Sequence, residues 1–217
     1  MLLIQGFRFI SKGEIEAIAN QILIRMSQTP NYVPKWPLDA SRVAEFLGLD
    51  LVWDRISEDE QGAIAARILP LEKLIEINED ILQLGPGFTE STIAHEVGHW
   101  VLHINHAQVE RQSQVESREL AFLCRNQENL RGREWQAQYF ASCLLMPKDQ
   151  LETVIKGRNL EKWSDLYQIA AELGVSISNL IHRLKDLGWI NITPDSRQIS
   201  RLKAPLPRIR EKIETRC

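Results

Sequence analysis

The chain holds no apolar run near the roughly 20 residues that a membrane-crossing helix needs. Its start, MLLIQGFRF, has four apolar residues and no basic stretch before them, which does not make a secretory signal. Cysteine is scarce. Cys124, Cys143 and Cys217 are odd in number and unpaired in spacing, which excludes a disulfide framework and a C-x-x-C site. A reducing compartment fits that usage, so the expectation is a soluble cytoplasmic protein. Positive charge is not in excess either. Lys and Arg number 26 against 29 Asp and Glu, a net charge of −3, and no general attraction to nucleic acid follows. One stretch differs: residues 197–217 carry Arg197, Arg201, Lys203, Arg208, Arg210, Lys212 and Arg216 against Glu211 and Glu214. A solvated basic tail is the simple reading. Internal repeats and low-complexity segments are missing. Apolar content of 44% is enough for a core, and 217 residues allow one large domain or two small ones.

What the chain does have is a concentration of histidine. Four of its five histidines lie between residues 95 and 106. Within them His95-Glu96-Val97-Gly98-His99 is an H-E-x-x-H match. On a helix, residues four apart share a face, so both imidazoles can hold one zinc ion while the glutamate reaches a water beside it. The surrounding stretch, FTESTIAHEVGHWVLH over Phe88–His103, reads as that helix. Gly85-Pro86-Gly87 ends what precedes it, Thr89 is the expected N-cap, and Phe88 with Ile93 forms a hydrophobic staple. Ile93, Val97, Trp100, Val101 and Ile104 make an apolar stripe opposite the histidines.

The remaining pattern is mixed α+β. Residues 12–28 read as a helix with Ile15, Ile18, Ala19, Ile22 and Met26 inward. Pro30, Pro34 and Pro37 mark a loop, and Asp39 caps a short helix over Ala40–Leu47. Leu49–Ile56, Ala63–Leu69 and Leu74–Asn78 read as strands of a small sheet. Residues 105–130 are a polar excursion with one strand expected at Leu120–Cys124. A helix follows from about Gly132 to Leu145, and Pro147 opens another to about Ile155. Asp165–Leu173, a Gly174 turn and a Ser176-capped helix Ile177–Leu187 make a helix-turn-helix pattern. Trp189–Ile192 and Gln198–Leu202 follow as wing strands. The expected divisions are residues 1–157, 158–203 and a basic tail 204–217.

Two histidines leave a catalytic zinc site one ligand short. His103 lies about 12 Å along the axis from His95 and off its face, so it is a supporting residue rather than a ligand. His106 is expected to be exposed. A later carboxylate serves better, with Glu110, Glu116, Glu119, Glu128 and Glu134 as candidates. Glu134 stands out because EWQAQYFASCLLMP is mostly apolar, and a carboxylate there needs a partner.

FTESTIAHEVGHWVLH followed by EWQAQYFASCLLMP resembles the ImmA/IrrE family of zinc metallopeptidases, over about residues 13–190. The resemblance implies a gluzincin-like core followed by a helix-turn-helix segment. It implies Zn2+ held by His95, His99 and Glu134, with Glu96 as catalytic acid and base. It also implies a substrate that is a helix-turn-helix transcriptional repressor, encoded nearby and cut at one site in a stress response. Gln138 stands where the family has Asn, and Ser91 where it has Phe. Radiation-response members carry a further C-terminal sensory domain, whereas 27 residues follow position 190 here. His103 and Tyr139 are the candidates for a second-shell or oxyanion-donor role. Two rival readings are a DNA-binding regulator and a toxin–antitoxin partner with a non-catalytic metal site. In the first, Ile177–Leu187 would expose Asn179, His182, Arg183 and Lys185 to DNA. Ile177, Leu180, Ile181, Leu184 and Leu187 on the same helix favour a packed element instead.

Overall fold

Ser11 opens α1 (Lys12–Ser27) with a capping box, its hydroxyl accepting from the Glu14 backbone and the Glu14 carboxylate accepting from the Ser11 N–H. Ile15, Ala19, Ile22, Leu23 and Met26 turn inward. The protein is described here by a computed structural model covering residues 3–58, 62–112, 130–193 and 198–202. Asp39 caps α2 (Ala40–Phe46) by accepting from Ser41 and Arg42. The apolar stretches that follow form β1 (Asp50–Asp54), β2 (Ala66–Leu69) and β3 (Leu74–Asn78). Their order is β1-β3-β2, with β1 parallel and β2 antiparallel to β3. β2 is therefore an edge strand. Ile68, Ile75 and Ile77 are buried and form the floor on which the central helix rests.

A 3-10 helix (Glu79–Leu84) leads into α3 (Pro86–His103). Its start differs from the sequence expectation. Pro86 is the first helical residue and Gly85, with φ of 91°, stands before it. The Gly-Pro-Gly run thus closes the 3-10 helix at Gly85, as expected, and opens α3 as well. A proline at the first helical position gives up an N–H that has no partner there. Thr89 lies inside the first turn, and its hydroxyl donates to Gly85 O, so it is no cap. Glu90 accepts from the Ala40 N–H at 2.7 Å and docks the start of α2 onto α3. Burial is also wider than a single stripe: Glu96, His99 and His103 are buried along with Ile93 and Val97.

α4 (His106–Gln112) follows, then α5 (Leu130–Leu145) and α6 (Lys148–Val154), for which Pro147 is the cap rather than the first residue. The strand expected at Leu120–Cys124 and the tail 204–217 lie outside the described residues. α3 packs chiefly on α5, and α5 packs in turn on α1, with Phe140, Ala141 and Leu144 of α5 fully buried. The N-terminal strap, Leu3–Ile10, crosses the far end of α3. Ile4 bridges Ile104, Gln5 N–H donates to His103 O at 2.9 Å, and Asn105 N–H donates to Leu3 O at 2.8 Å.

α7 (Trp163–Leu173) ends at Gly174 in the left-handed region, φ 67°. Ser176 then caps α8 (Ile177–Asp186), its hydroxyl accepting from the Asn179 N–H. β4 (Ile190–Ile192) and β5 (Ile199–Arg201) pair antiparallel. Arg183 corrects the expected surface of α8: it is fully buried. Its guanidinium donates to Glu16 Oε1 at 2.6 Å, Met146 O at 3.1 Å and Cys143 Sγ at 3.3 Å. It shares the inner face with Leu180 and Leu184, and Glu16 of α1 supplies the countercharge that makes burial tolerable. Among the described residues no helix is long and apolar enough to cross a membrane.

Candidate metal centre

Gly98 lets α3 and α5 meet. A Cβ built there would stand 3.0 Å from Ala137 Cα and from Ala137 O. With two small residues at the crossing, side chains within one turn of it on each helix reach the same point. His95 Nε2 stands 3.0 Å from His99 Nε2 and 3.1 Å from Glu134 Oε2. His99 Nε2 stands 3.4 Å from Glu134 Oε1. These three groups form a cluster able to hold a metal ion.

The spacing fits the ion that the donor types suit. Ligands about 2.0–2.1 Å from a tetrahedral zinc are separated by about 3.3 Å along each edge. Two neutral imidazoles and a carboxylate are a common zinc donor set. The electrostatics show what the cluster does when no ion is bound. Burial works against a charged His95, but the hydrogen bond and charge of Glu134, with the charge of Glu96, outweigh it and raise its pKa. Burial works against a charged Glu134 too, but the hydrogen bond from His95 and the neighbouring His99 imidazole outweigh it and hold its carboxyl well below the usual range. A proton shared with the imidazoles therefore stands in for a cation, and a metal ion would displace it.

The other expected residues fall on different sides of this cluster. Glu96 is nearly buried and forms part of the wall of an open cleft of ≈ 550 Å³. One wall of that cleft is Ala63–Ala66 at the edge of β2, and the other is Ser176, Ser178 and Asn179 at the start of α8. α8 is seated there by Asn179, whose amide donates to Ser91 Oγ at 2.9 Å. Gly87 makes the same junction close, since a Cβ would meet the Ser176 backbone nitrogen at 2.8 Å. His103 is not among the cleft residues. Its Nδ1 faces His99 Nδ1 and its Nε2 faces Gln136 Oε1, each at 3.0 Å, and burial pushes its pKa down to about 4. Tyr139 is buried against Arg183, within 3.5 Å of its guanidinium, and burial pushes its phenol up to about 12. Neither side chain lines the cleft. His106 is exposed as expected, with its ring edge-on to Trp100.

Two residues escaped the sequence reading. Gly98 could have been found as a small residue inside the motif, opposite the small Ala137. Gln136 gave no signal, because an amide two residues after a glutamate reads as solvated surface.

Fold and cluster together define a mixed α+β protein in which two packed central helices bring two imidazoles and a carboxylate to one point beside a cleft. Residues 55–185 match the IrrE N-terminal-like domain of peptidase family M78, and the chain belongs to that family. Among solved structures, a Mycobacterium tuberculosis transcriptional regulator is similar in fold, with a TM-score of 0.54 at 17% identity. The similarity covers 85% of this chain and 49% of that one, so the chain spans about half the regulator's length. No curated protein matches the sequence.

Proposed function

We propose that the chain is a zinc-dependent endopeptidase that cuts a helix-turn-helix repressor at a specific site and so relieves repression. The observation that carries the reading is the convergence of His95 Nε2, His99 Nε2 and a Glu134 carboxylate oxygen beside a cleft whose wall includes Glu96. In this reading the sheet with α3 and α5 is a gluzincin-like core over residues 1–157. α7, α8 and the β4–β5 pair form the helix-turn-helix-like segment of 158–203.

Zinc held by the three residues supplies Lewis-acid polarisation of a carbonyl and a lowered pKa for water. Glu96 takes the proton from the attacking water on its carboxylate and passes it to the leaving amine. The cleft walls suit a chain entering in extended form. Ala63, Ala65, Ala66, Ser91, Ser176 and Ser178 are small and leave room for a backbone. A peptide running along an edge strand is held by backbone hydrogen bonds and selected by its side chains. Burial of Arg183 supports α8 as a cleft wall rather than a reader of DNA, since it removes one of the four side chains a recognition helix would have presented. The family membership and the regulator-like fold support a substrate from gene regulation.

The test is incubation with the repressor encoded beside this chain, with and without a chelator, read by mass spectrometry. One specific cut that the chelator abolishes is expected. The Glu96→Gln variant should keep zinc and lose the cut, and full cleavage by that variant would remove Glu96 from its role. Chelator-resistant cleavage would remove the metal from the reaction.

A further inference from the structure

We infer that the N-terminal strap sets the metal-ligating nitrogen of His99 through a directional chain of hydrogen bonds running from Arg8 through Gln136 and His103. The inference rests on the zinc reading above and adds residues that reading does not use.

The direction of the chain is fixed at its outer end. The Gln136 amide nitrogen stands 3.0 Å from Arg8 O, and a carbonyl oxygen only accepts. The amide is thereby oriented, so the atom it turns toward His103 is Oε1, also an acceptor. His103 Nε2 must then carry its ring proton. A ring protonated at Nε2 presents a lone pair at Nδ1, and that lone pair faces His99 Nδ1 at 3.0 Å. His99 therefore holds its own proton at Nδ1 and leaves Nε2 bare. Nε2 is the nitrogen that faces His95 and Glu134. A metal on Nε2 demands the same arrangement, because the proton must then sit on the other nitrogen.

The path is dry and tied down. His99 is 4% exposed, His103 5% and Gln136 0%, so water cannot substitute for a lost partner. The strap is tied down at Gln5, beside the relay. Arg133 donates to Gln5 O at 2.7 Å, and the Gln5 side-chain amide donates to Ile104 O at 3.0 Å. A ligating histidine oriented by a hydrogen bond on its other nitrogen is a general feature of metal sites, and losing that partner typically lowers metal affinity about 10–100-fold. Here the orienting partner is itself a histidine, and its orientation comes from the Arg8 backbone through Gln136, a contact that spans 128 positions of the sequence.

Two measurements test this. The first is the tautomer of His99 in the metal-free protein, read from nitrogen-15 NMR, which needs no variant. Protonation at Nδ1 is expected, and a proton on Nε2 would overturn the relay. The second is zinc affinity by competition with a chromogenic chelator. His103→Leu and Gln136→Met should each bind zinc about 10–100-fold more weakly. His103→Asn puts an amide oxygen where Nδ1 stands and should stay within a few-fold of the parent. Parent-like affinity in both His103→Leu and Gln136→Met would overturn the relay, as would equal losses in His103→Leu and His103→Asn with both folded by circular dichroism. If the parent binds no zinc, the metal reading fails and the tautomer measurement alone decides the relay.

Discussion

Gly98 of α3 lies directly on the backbone of Ala137 in α5, with 3.0 Å between its would-be Cβ and two Ala137 backbone atoms. Neither backbone can move aside without shifting a helix, and Phe140 closes the third side at 3.2 Å. Overpacking of this kind typically destabilises by about 1–3 kcal/mol. An alanine in mid-helix gains up to about 1 kcal/mol in propensity over glycine, which offsets part of the loss. Gly98→Ala is expected to lower the midpoint of urea denaturation and also to weaken zinc binding, because the helices separate at the turn that carries the ligands. An unchanged midpoint would show that α3 and α5 give way freely there.

The residues of the proposed metal site were more legible in the sequence than the geometry that supports them. His95, Glu96 and His99 stood out because helical spacing is periodic and local. Glu134 stood out because a charge amid apolar neighbours needs a partner, and the structure brings it to the two histidines. The strap was invisible for a physical reason: Gln5 and Leu3 bind residues near 104 through backbone atoms, which every sequence possesses. Thr89 misled because a good cap residue was present while Pro86 and Gly85 already supplied the start. Arg183 misled because a lone arginine in an amphipathic helix reads as surface until a countercharge arrives from another helix.

The His95–Glu134 pair makes the metal-free protein sensitive to pH in both directions. His95 has its pKa raised above 6.5 in the fold, so its contribution is complete below 6.5 and is lost as pH rises through the folded value. Glu134 has its pKa lowered below 4.5, so its contribution is complete above 4.5 and is lost as pH falls through the folded value. Between those limits both contributions are in place. The melting temperature of the metal-free chain, measured relative to Glu134→Gln, should be highest in that window and fall on either side. Zinc should remove the alkaline fall, since the ion takes the place of the lost proton, and its affinity should drop as pH falls through the His95 value. A difference between the two proteins that stays flat across the range would show that the pair is not coupled to folding.

Arg183 and Glu16 differ in what they leave behind when their partner is removed. The Arg183 side chain is 0% exposed and the Glu16 side chain 25%. Glu16→Leu strands a guanidinium that has no route to water, whose remaining partners are Met146 O, Cys143 Sγ and Tyr139 OH. Removing one partner of a buried pair destabilises by about 3–5 kcal/mol when the other charge is left uncompensated. Arg183→Met keeps most of the buried volume and leaves a carboxylate that already touches solvent, so its effect should be the smaller of the two. The double variant should recover much of the loss seen in Glu16→Leu, because no charge then remains buried. Chemical denaturation of the three variants decides the matter. If Glu16→Leu is no more damaging than Arg183→Met, then Arg183 is held by its neutral acceptors and α8 does not depend on α1 for its seat beside the cleft.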